Sequence, residues 1–226
     1  MTKPLHIVFV LFDNVTQLDF TGPLQVLSRL PGAVIHVAHR ALRPVTTDAT
    51  LTLNPTTTFA DCPQADLLCI PGGFGVDDAI LDGDLMDFVR RQAKGARYVT
   101  SVCTGAFVLG AAGLLKGRRA TTHWAYHEAL ADVGAVPVKA RVVRDGNVFT
   151  GGGVTAGIDF AFTLAAEIAG RDVAEAIQLG LEYDPHPPFA SGSPESASPA
   201  AEDAMRRRYE RRLGEFRARL GAVVGN

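Results

Sequence analysis

Three features of the sequence predict an α/β fold built on a parallel sheet with helices on both faces. Residues 5–12, 66–70 and 98–102 are apolar or β-branched almost throughout and stop at Asp, Pro-Gly or Cys, as strands buried on both faces do. Between the last two lies residues 77–94, with Ile80, Leu81, Leu85, Phe88 and Val89 at helical spacing, a crossover helix. The third run ends abruptly at Cys103, and a helical pattern of small residues and leucines begins over 106–115.

A cysteine on so sharp a strand-to-helix turn is a nucleophile elbow. Its side chain stands clear of the sheet edge while the first free N–H groups of the new helix point toward it. The positive end of that helix favours thiolate, the reactive form. Gly105 gives the turn room, since a side chain two residues past the cysteine would crowd the returning strand. An inert core thiol is the competing assignment for Cys103.

Composition narrows the class. A chain of 226 residues that is 47% hydrophobic suits one substantial α/β domain. A net charge of -2 gives no reason to expect nucleic acid or an anionic membrane as partner. Cys62, Cys69 and Cys103 are odd in number and lack CxxC spacing, so a reducing cytoplasm is expected and a disulfide framework is not. The apolar run near the N-terminus is too short to span a bilayer and lacks a cleavage signal.

In chain order, residues 5–12 form the first strand, and Asp19 is expected in the loop after it, with Thr21 capping a helix that has Pro23 in its first turn. Ligands of open parallel sheets bind outside the carboxyl ends of the strands, so Asp19 and Cys103 are expected to face one crevice. Residues 33–38 read as a second strand and 50–53 as a short extended piece. The strand 66–70 carries Cys69 as packing and ends in Pro71-Gly72-Gly73-Phe74-Gly75. That stretch lacks the Lys-Ser/Thr of a phosphate loop; bare backbone there can offer N–H groups to a developing negative charge.

Past the elbow, His123 and His127 lie in an expected short helix, four residues apart, the spacing of a zinc pair. Trp124 stands where a metalloprotease needs Glu, and no third ligand is evident, so no metal is assigned. Asp145-Gly146 marks a hairpin within 141–150. Gly151-Gly152-Gly153 opens an apolar helix over 154–170, set close to the central strand, and 172–181 suits another. From residue 184 the chain turns Pro- and Ser-rich, then ends in an amphipathic helix carrying Met205, Tyr209, Leu213, Phe216 and Leu220 up to Gly221. Two regions follow: 1–183 as the α/β domain, and 184–226 as an arm and helix packed on that domain or on a dimer partner.

The motifs Leu18-Asp19-Phe20-Thr21-Gly22-Pro23, Ile70-Pro71-Gly72-Gly73, Ser101-Val102-Cys103-Thr104-Gly105 and Ala120-Thr121-Thr122-His123-Trp124 together resemble the ThiJ/PfpI superfamily. Within it they resemble the isocyanide-hydrating branch. The resemblance implies a flavodoxin-like sandwich and a cytoplasmic homodimer acting on a small isocyanide without cofactor. It also implies catalysis by Cys103, Asp19 and Thr104, with Gly72 and Gly73 binding substrate or oxyanion. Cys103 would add to the terminal carbon, Asp19 would serve as acid and then base, and like-charge repulsion beside a thiolate would raise the Asp19 pKa. Protease-like relatives place His directly after the cysteine, where this chain has Thr104. AraC-type regulators share the Cys-Thr-Gly and Ala-Thr-Thr-His-Trp stretches but continue into a DNA-binding domain, whereas one helix follows the arm here. A cysteine-based sensor or ligand-binding protein, and a Cys-dependent hydrolase or glyoxalase-type enzyme, are the alternatives from other classes.

Overall fold

The computed structural model describes residues 4–225. In chain order the elements are β1 (Leu5–Val10), α1 (Gln17–Leu27), β2 (Ala33–His39), a small ribbon of β3 (Val45–Thr46) and β4 (Thr52–Leu53), β5 (Thr57–Thr58), β6 (Leu67–Ile70), α2 (Val76–Ala79), α3 (Gly83–Gly95) and β7 (Tyr98–Val102). A 3₁₀ turn over Cys103–Gly105 feeds α4 (Ala106–Ala111). Then come β8 (Arg119–Ala120), a 3₁₀ segment Trp124–Val133, β9 (Val136–Pro137), β10 (Val142–Asp145), β11 (Val148–Gly151), α5 (Ala156–Ala169), α6 (Arg171–Gly180) and α7 (Pro199–Val224).

Seven strands form one sheet in the order β10-β11-β7-β6-β1-β2-β5, parallel throughout except for the β10–β11 hairpin at one edge. The α/β fold class expected from sequence is therefore the one observed. Ile7 to Val10, Leu67 to Ile70 and Phe149 line its middle and are buried, which is why these strands read as continuous apolar runs rather than alternating ones. From β1 the chain crosses outward to β2, and from β6 it crosses in the other direction to β7. Right-handed crossovers in opposite senses put α1 and α3 on opposite faces and open a crevice where β1 and β6 diverge. The segments leaving β1, β6 and β7 all end at that crevice, and they carry Asp19, Gly72-Gly73 and Cys103.

The structure corrects several local expectations. Asp19 is in the first turn of α1, not in a loop. The backbone leaving β1 is pinned by a bridge between Val15 and Gly73 and by donation from the Thr16 N–H to the Gly72 carbonyl (3.0 Å), so the helix starts at once. Pro23 then lies inside α1, and Thr21 is not a cap: its hydroxyl donates to Gln17 Oε1. The expected single helix over 77–94 is two, because the Asp82 carboxylate accepts the N–H groups of Asp84 and Leu85 and starts α3 afresh. His123 and His127 do not share a helical face, since the chain from Trp124 is 3₁₀, with three residues per turn. The last helix runs through Gly221 to Val224 and docks on the domain by burying Phe216 and Leu220. Among the described residues no helix is long and apolar enough to cross a membrane.

Candidate active site

Cys103 is the residue at which extended β7 backbone becomes helical, and it takes φ +56°, a left-handed conformation that costs a non-glycine residue energy. The turn is held from three sides. The Cys103 N–H donates to the Gly152 carbonyl (2.9 Å), and the Thr122 hydroxyl donates to the Cys103 carbonyl (2.7 Å). On the third side Gly105 lies against β6: a Cβ there would sit 2.3 Å from the Ile70 carbonyl oxygen. The expected need for Gly105 is met, and the strand it would crowd is β6.

Asp19 is fully buried. Its Oδ2 accepts the Gly72 N–H (3.1 Å), while its Oδ1 has no hydrogen-bond partner among the described residues. A Cβ on Gly72 would lie 2.6 Å from Asp19 Oδ2, 2.6 Å from the Thr104 nitrogen and 2.8 Å from Cys103 Cβ. The bare Gly72 is therefore what allows acid, thiol and elbow N–H to converge. Thr104 Oγ1 accepts the Gly73 N–H (3.0 Å) and faces the Gly73 carbonyl at 3.2 Å. Gly73 itself adopts φ +138°, and a side chain would strike the Thr16 nitrogen and the Asn14 carbonyl. The expected donation of the Gly72 and Gly73 N–H groups to a substrate thus meets donors already committed to Asp19 and Thr104.

Electrostatics corrects the expected ionisation. Burial pushes the Asp19 carboxyl up to about 7, against lowering by the Cys103 side chain and the Gly72 N–H, with a small further rise from Asp48. Burial, not repulsion from a thiolate, is the cause. The Cys103 thiol is pushed well above its ordinary value, by burial first and by Asp19 second. The N–H groups of Val154 and Thr104 face the sulfur and oppose that rise without cancelling it. Near neutral pH the pair therefore rests as thiol plus carboxyl or carboxylate, in place of the expected helix-stabilised thiolate.

Above the pair is a cavity of about 50 Å³, larger than one ordered water requires. Besides Cys103 and Thr104 it is walled by His123, Tyr126, Tyr209 and Phe216. His123 Nδ1 accepts the Ala125 N–H (3.2 Å), which leaves the proton of the neutral ring on Nε2. Burial holds this histidine's pKa down at about 4. Its ring can lie on the chain before α5 because Gly153 has no side chain; a Cβ there would be 2.7 Å from His123 Cδ2.

Sequence reasoning brought Asp19, Cys103, Thr104, Gly72 and Gly73 to one place, and the structure brings them together. It missed Val154 and the aromatic wall. The triple glycine, which lets the start of α5 approach the elbow, was the available signal for Val154. For Tyr209 there was only its place on the apolar stripe of α7.

A buried thiol on a strained strand-to-helix elbow, coupled to a buried carboxyl beneath a small cavity, defines a class of cysteine-centred α/β proteins. The chain belongs to the DJ-1/PfpI family, whose sequence profile matches residues 5–167. It is 60% identical over 204 residues to the isonitrile hydratase of Pseudomonas putida, covering 90% of each chain. The crystal structure of a ThiJ/PfpI family protein from Pseudomonas syringae superposes with a TM-score of 0.93 at 41% identity, covering 100% of this chain and 92% of that one. The HTH-type transcriptional regulator GbdR of Pseudomonas aeruginosa is 30% identical over 192 residues, which are 80% of this chain and 52% of the regulator.

Proposed function

We propose that the protein hydrates isocyanides, R–N≡C plus water giving R–NH–CHO, with Cys103 as nucleophile and Asp19 as the proton carrier. The observation that carries this is the coupled Cys103–Asp19 pair, buried in a chain 60% identical to an isonitrile hydratase.

The chemistry follows from the resting state. An isocyanide carbon attacked by sulfur becomes a carbanion unless a proton arrives with the attack. Asp19 as carboxylate takes the Cys103 S–H proton, sulfur bonds to the terminal carbon, and Asp19 returns the proton to that carbon. The product is a thioimidate, R–N=CH–S–Cys103, with Asp19 ionised again. Asp19 then takes a proton from the water that attacks the thioimidate carbon, and the nitrogen gains a proton as C=N becomes C–N. Sulfur leaves with the Asp19 proton as the formamide forms, so the second water proton ends on nitrogen. Burial supports this use, because a carboxyl with pKa about 7 is both a competent acid and a competent base near neutrality.

The N–H groups of Thr104 and Val154 face the sulfur and stabilise charge as it develops there. Gly72 and Gly73 act here by holding Asp19 and Thr104. No step in this scheme draws on a cofactor. In this proposal residues 1–183 carry the reacting pair and 184–226 close over it, and the working form is a cytoplasmic homodimer whose mass light scattering would give.

The test is turnover of an aryl isocyanide by purified protein, following the N-formyl product, with Cys103→Ala and Cys103→Ser alongside. Wild type should form product and both variants should fall to background while keeping a native circular dichroism spectrum. Product from either variant at the wild-type rate would refute the nucleophile. No product from reduced, folded wild type would turn attention to oxidant sensing by Cys103.

A further inference from the structure

The hydration scheme leaves the proton donor to one atom unassigned. When water adds to the thioimidate, the C=N pair moves onto nitrogen, and that nitrogen needs a proton while Asp19 is occupied taking one from water. Four residues that line the cavity carry a hydroxyl: Thr16, Thr104, Tyr126 and Tyr209. Three are engaged. Thr16 donates to Asp48 Oδ2 (2.5 Å), Thr104 is held by the Gly73 backbone, and Tyr126 interacts with the Arg212 side chain. The Tyr209 hydroxyl alone has no hydrogen-bond partner among the described residues.

Its ring, by contrast, is fixed. His123 lies at 5.3 Å, Trp124 at 6.0 Å and Tyr126 at 6.0 Å between ring centroids, all from the Ala120–Trp124 motif and the 3₁₀ segment after it. Two to three turns further along α7, Phe216 and Leu220 are buried and Arg217 makes a two-pronged ion pair with Asp132 (2.7 Å for each), so the helix that carries Tyr209 is anchored. The other donor in reach, His123, is a neutral imidazole, and giving up its Nε2 proton would leave an imidazolate, far too basic to form.

From this placement, and resting on the hydration reading above, we propose that Tyr209 is a further catalytic residue, the acid that protonates the substrate nitrogen during hydrolysis of the thioimidate. Water oxygen bonds to carbon, Asp19 takes a water proton, and Tyr209 Oη–H passes its proton to nitrogen, giving R–NH–CH(OH)–S–Cys103. The C–S bond then breaks, the hydroxyl proton returns to the Tyr209 oxygen as C=O forms, and the Asp19 proton goes to sulfur. Every group ends as it began. Partial burial raises the tyrosine's pKa and keeps it protonated for this use. The family profile ends at residue 167, so the proposal assigns chemistry to a helix outside it.

The experiment is Tyr209→Phe in the full chain, which keeps the ring and its packing and removes only the hydroxyl with its proton. With an aryl isocyanide, kcat should fall by about 10²-fold or more while KM stays within about two-fold, as loss of a general acid predicts. Intact-mass spectrometry during turnover should show Cys103 carrying the added mass of the isocyanide in the variant and not in wild type. A variant that turns over at the wild-type rate overturns the proposal, and so does a slow variant without the adduct, since the blocked step would then lie elsewhere. Wild type that makes no N-formyl product would instead refute the hydration reading itself, and this proposal with it.

Discussion

Burying Asp19 removes a carboxylate from water, and a single Gly72 N–H returns only part of what is lost. The carboxyl is therefore a stability cost carried for chemistry. Its folded pKa lies above the ordinary 3.8, at about 7, so the native state holds a proton that the unfolded chain has released across that interval. Stability from this group is complete below pH 3.8 and is lost as pH rises through 7, by at most about 4 kcal/mol. Asp19→Asn keeps the shape and cannot ionise. Denaturant titrations should find variant and wild type running parallel below pH 4, the variant gaining between pH 4 and 7, and a constant advantage above 7. A difference that does not change with pH would show that Asp19 is not titrating as described. The residues themselves indicated Asp19 only as an acid after the first strand. Its burial, and hence its pKa, comes from the packing of the β6 and β7 ends against the start of α1, segments distant in sequence, and no local pattern encodes that.

At the level of elements, the glycines separate those fixed by close approach from those merely tolerated. Gly105 faces backbone that cannot yield, with the Ile70 and Pro71 carbonyl oxygens 2.3 Å and 2.6 Å from a built Cβ. Gly214 is exposed in the middle of α7 with nothing within 4 Å. Gly105→Ala should lose at least about 1–3 kcal/mol, as overpacking does, and move the elbow enough to remove turnover. Gly214→Ala should gain about 1 kcal/mol of helix propensity and leave turnover intact. Equal effects from the two in denaturant midpoints would contradict this account of the turn. The elbow was legible because a β-branched run, a cysteine and a glycine lie within eight residues. The break between α2 and α3 was less so, because the apolar spacing of Ile80, Leu81 and Leu85 runs straight through it while Asp82 caps the second helix. The 3₁₀ character of Trp124–Val133 had no periodic signature that distinguishes it from α-helix over so short a span.

The site exists only because distant parts of the chain meet, and its pH behaviour belongs to the molecule as a whole. α1 brings the acid, the β6 end its donor, β7 the thiol, the start of α5 the Val154 N–H, and α7 the roof. The topology that joins them at the divergence of β1 and β6 was legible from the order of strands and helices; the roof was not, since Tyr209 and Phe216 reach the cavity only through docking of a helix after a Pro- and Ser-rich arm. The packing of these segments makes burial the dominant influence on both Asp19 and Cys103, and so sets which protonation state reacts. The first step needs Asp19 ionised to receive the thiol proton. kcat/KM for an aryl isocyanide should therefore be low in acid, rise through about pH 7 and level off above it, with the apparent pKa belonging to the coupled pair. In Asp19→Asn the rate should fall steeply and the rising limb near 7 should disappear, because no carboxyl remains to titrate there. A wild-type profile that is flat from pH 5 to 8, or an unchanged limb in the variant, would place the controlling ionisation on another group and remove Asp19 from its role as proton carrier.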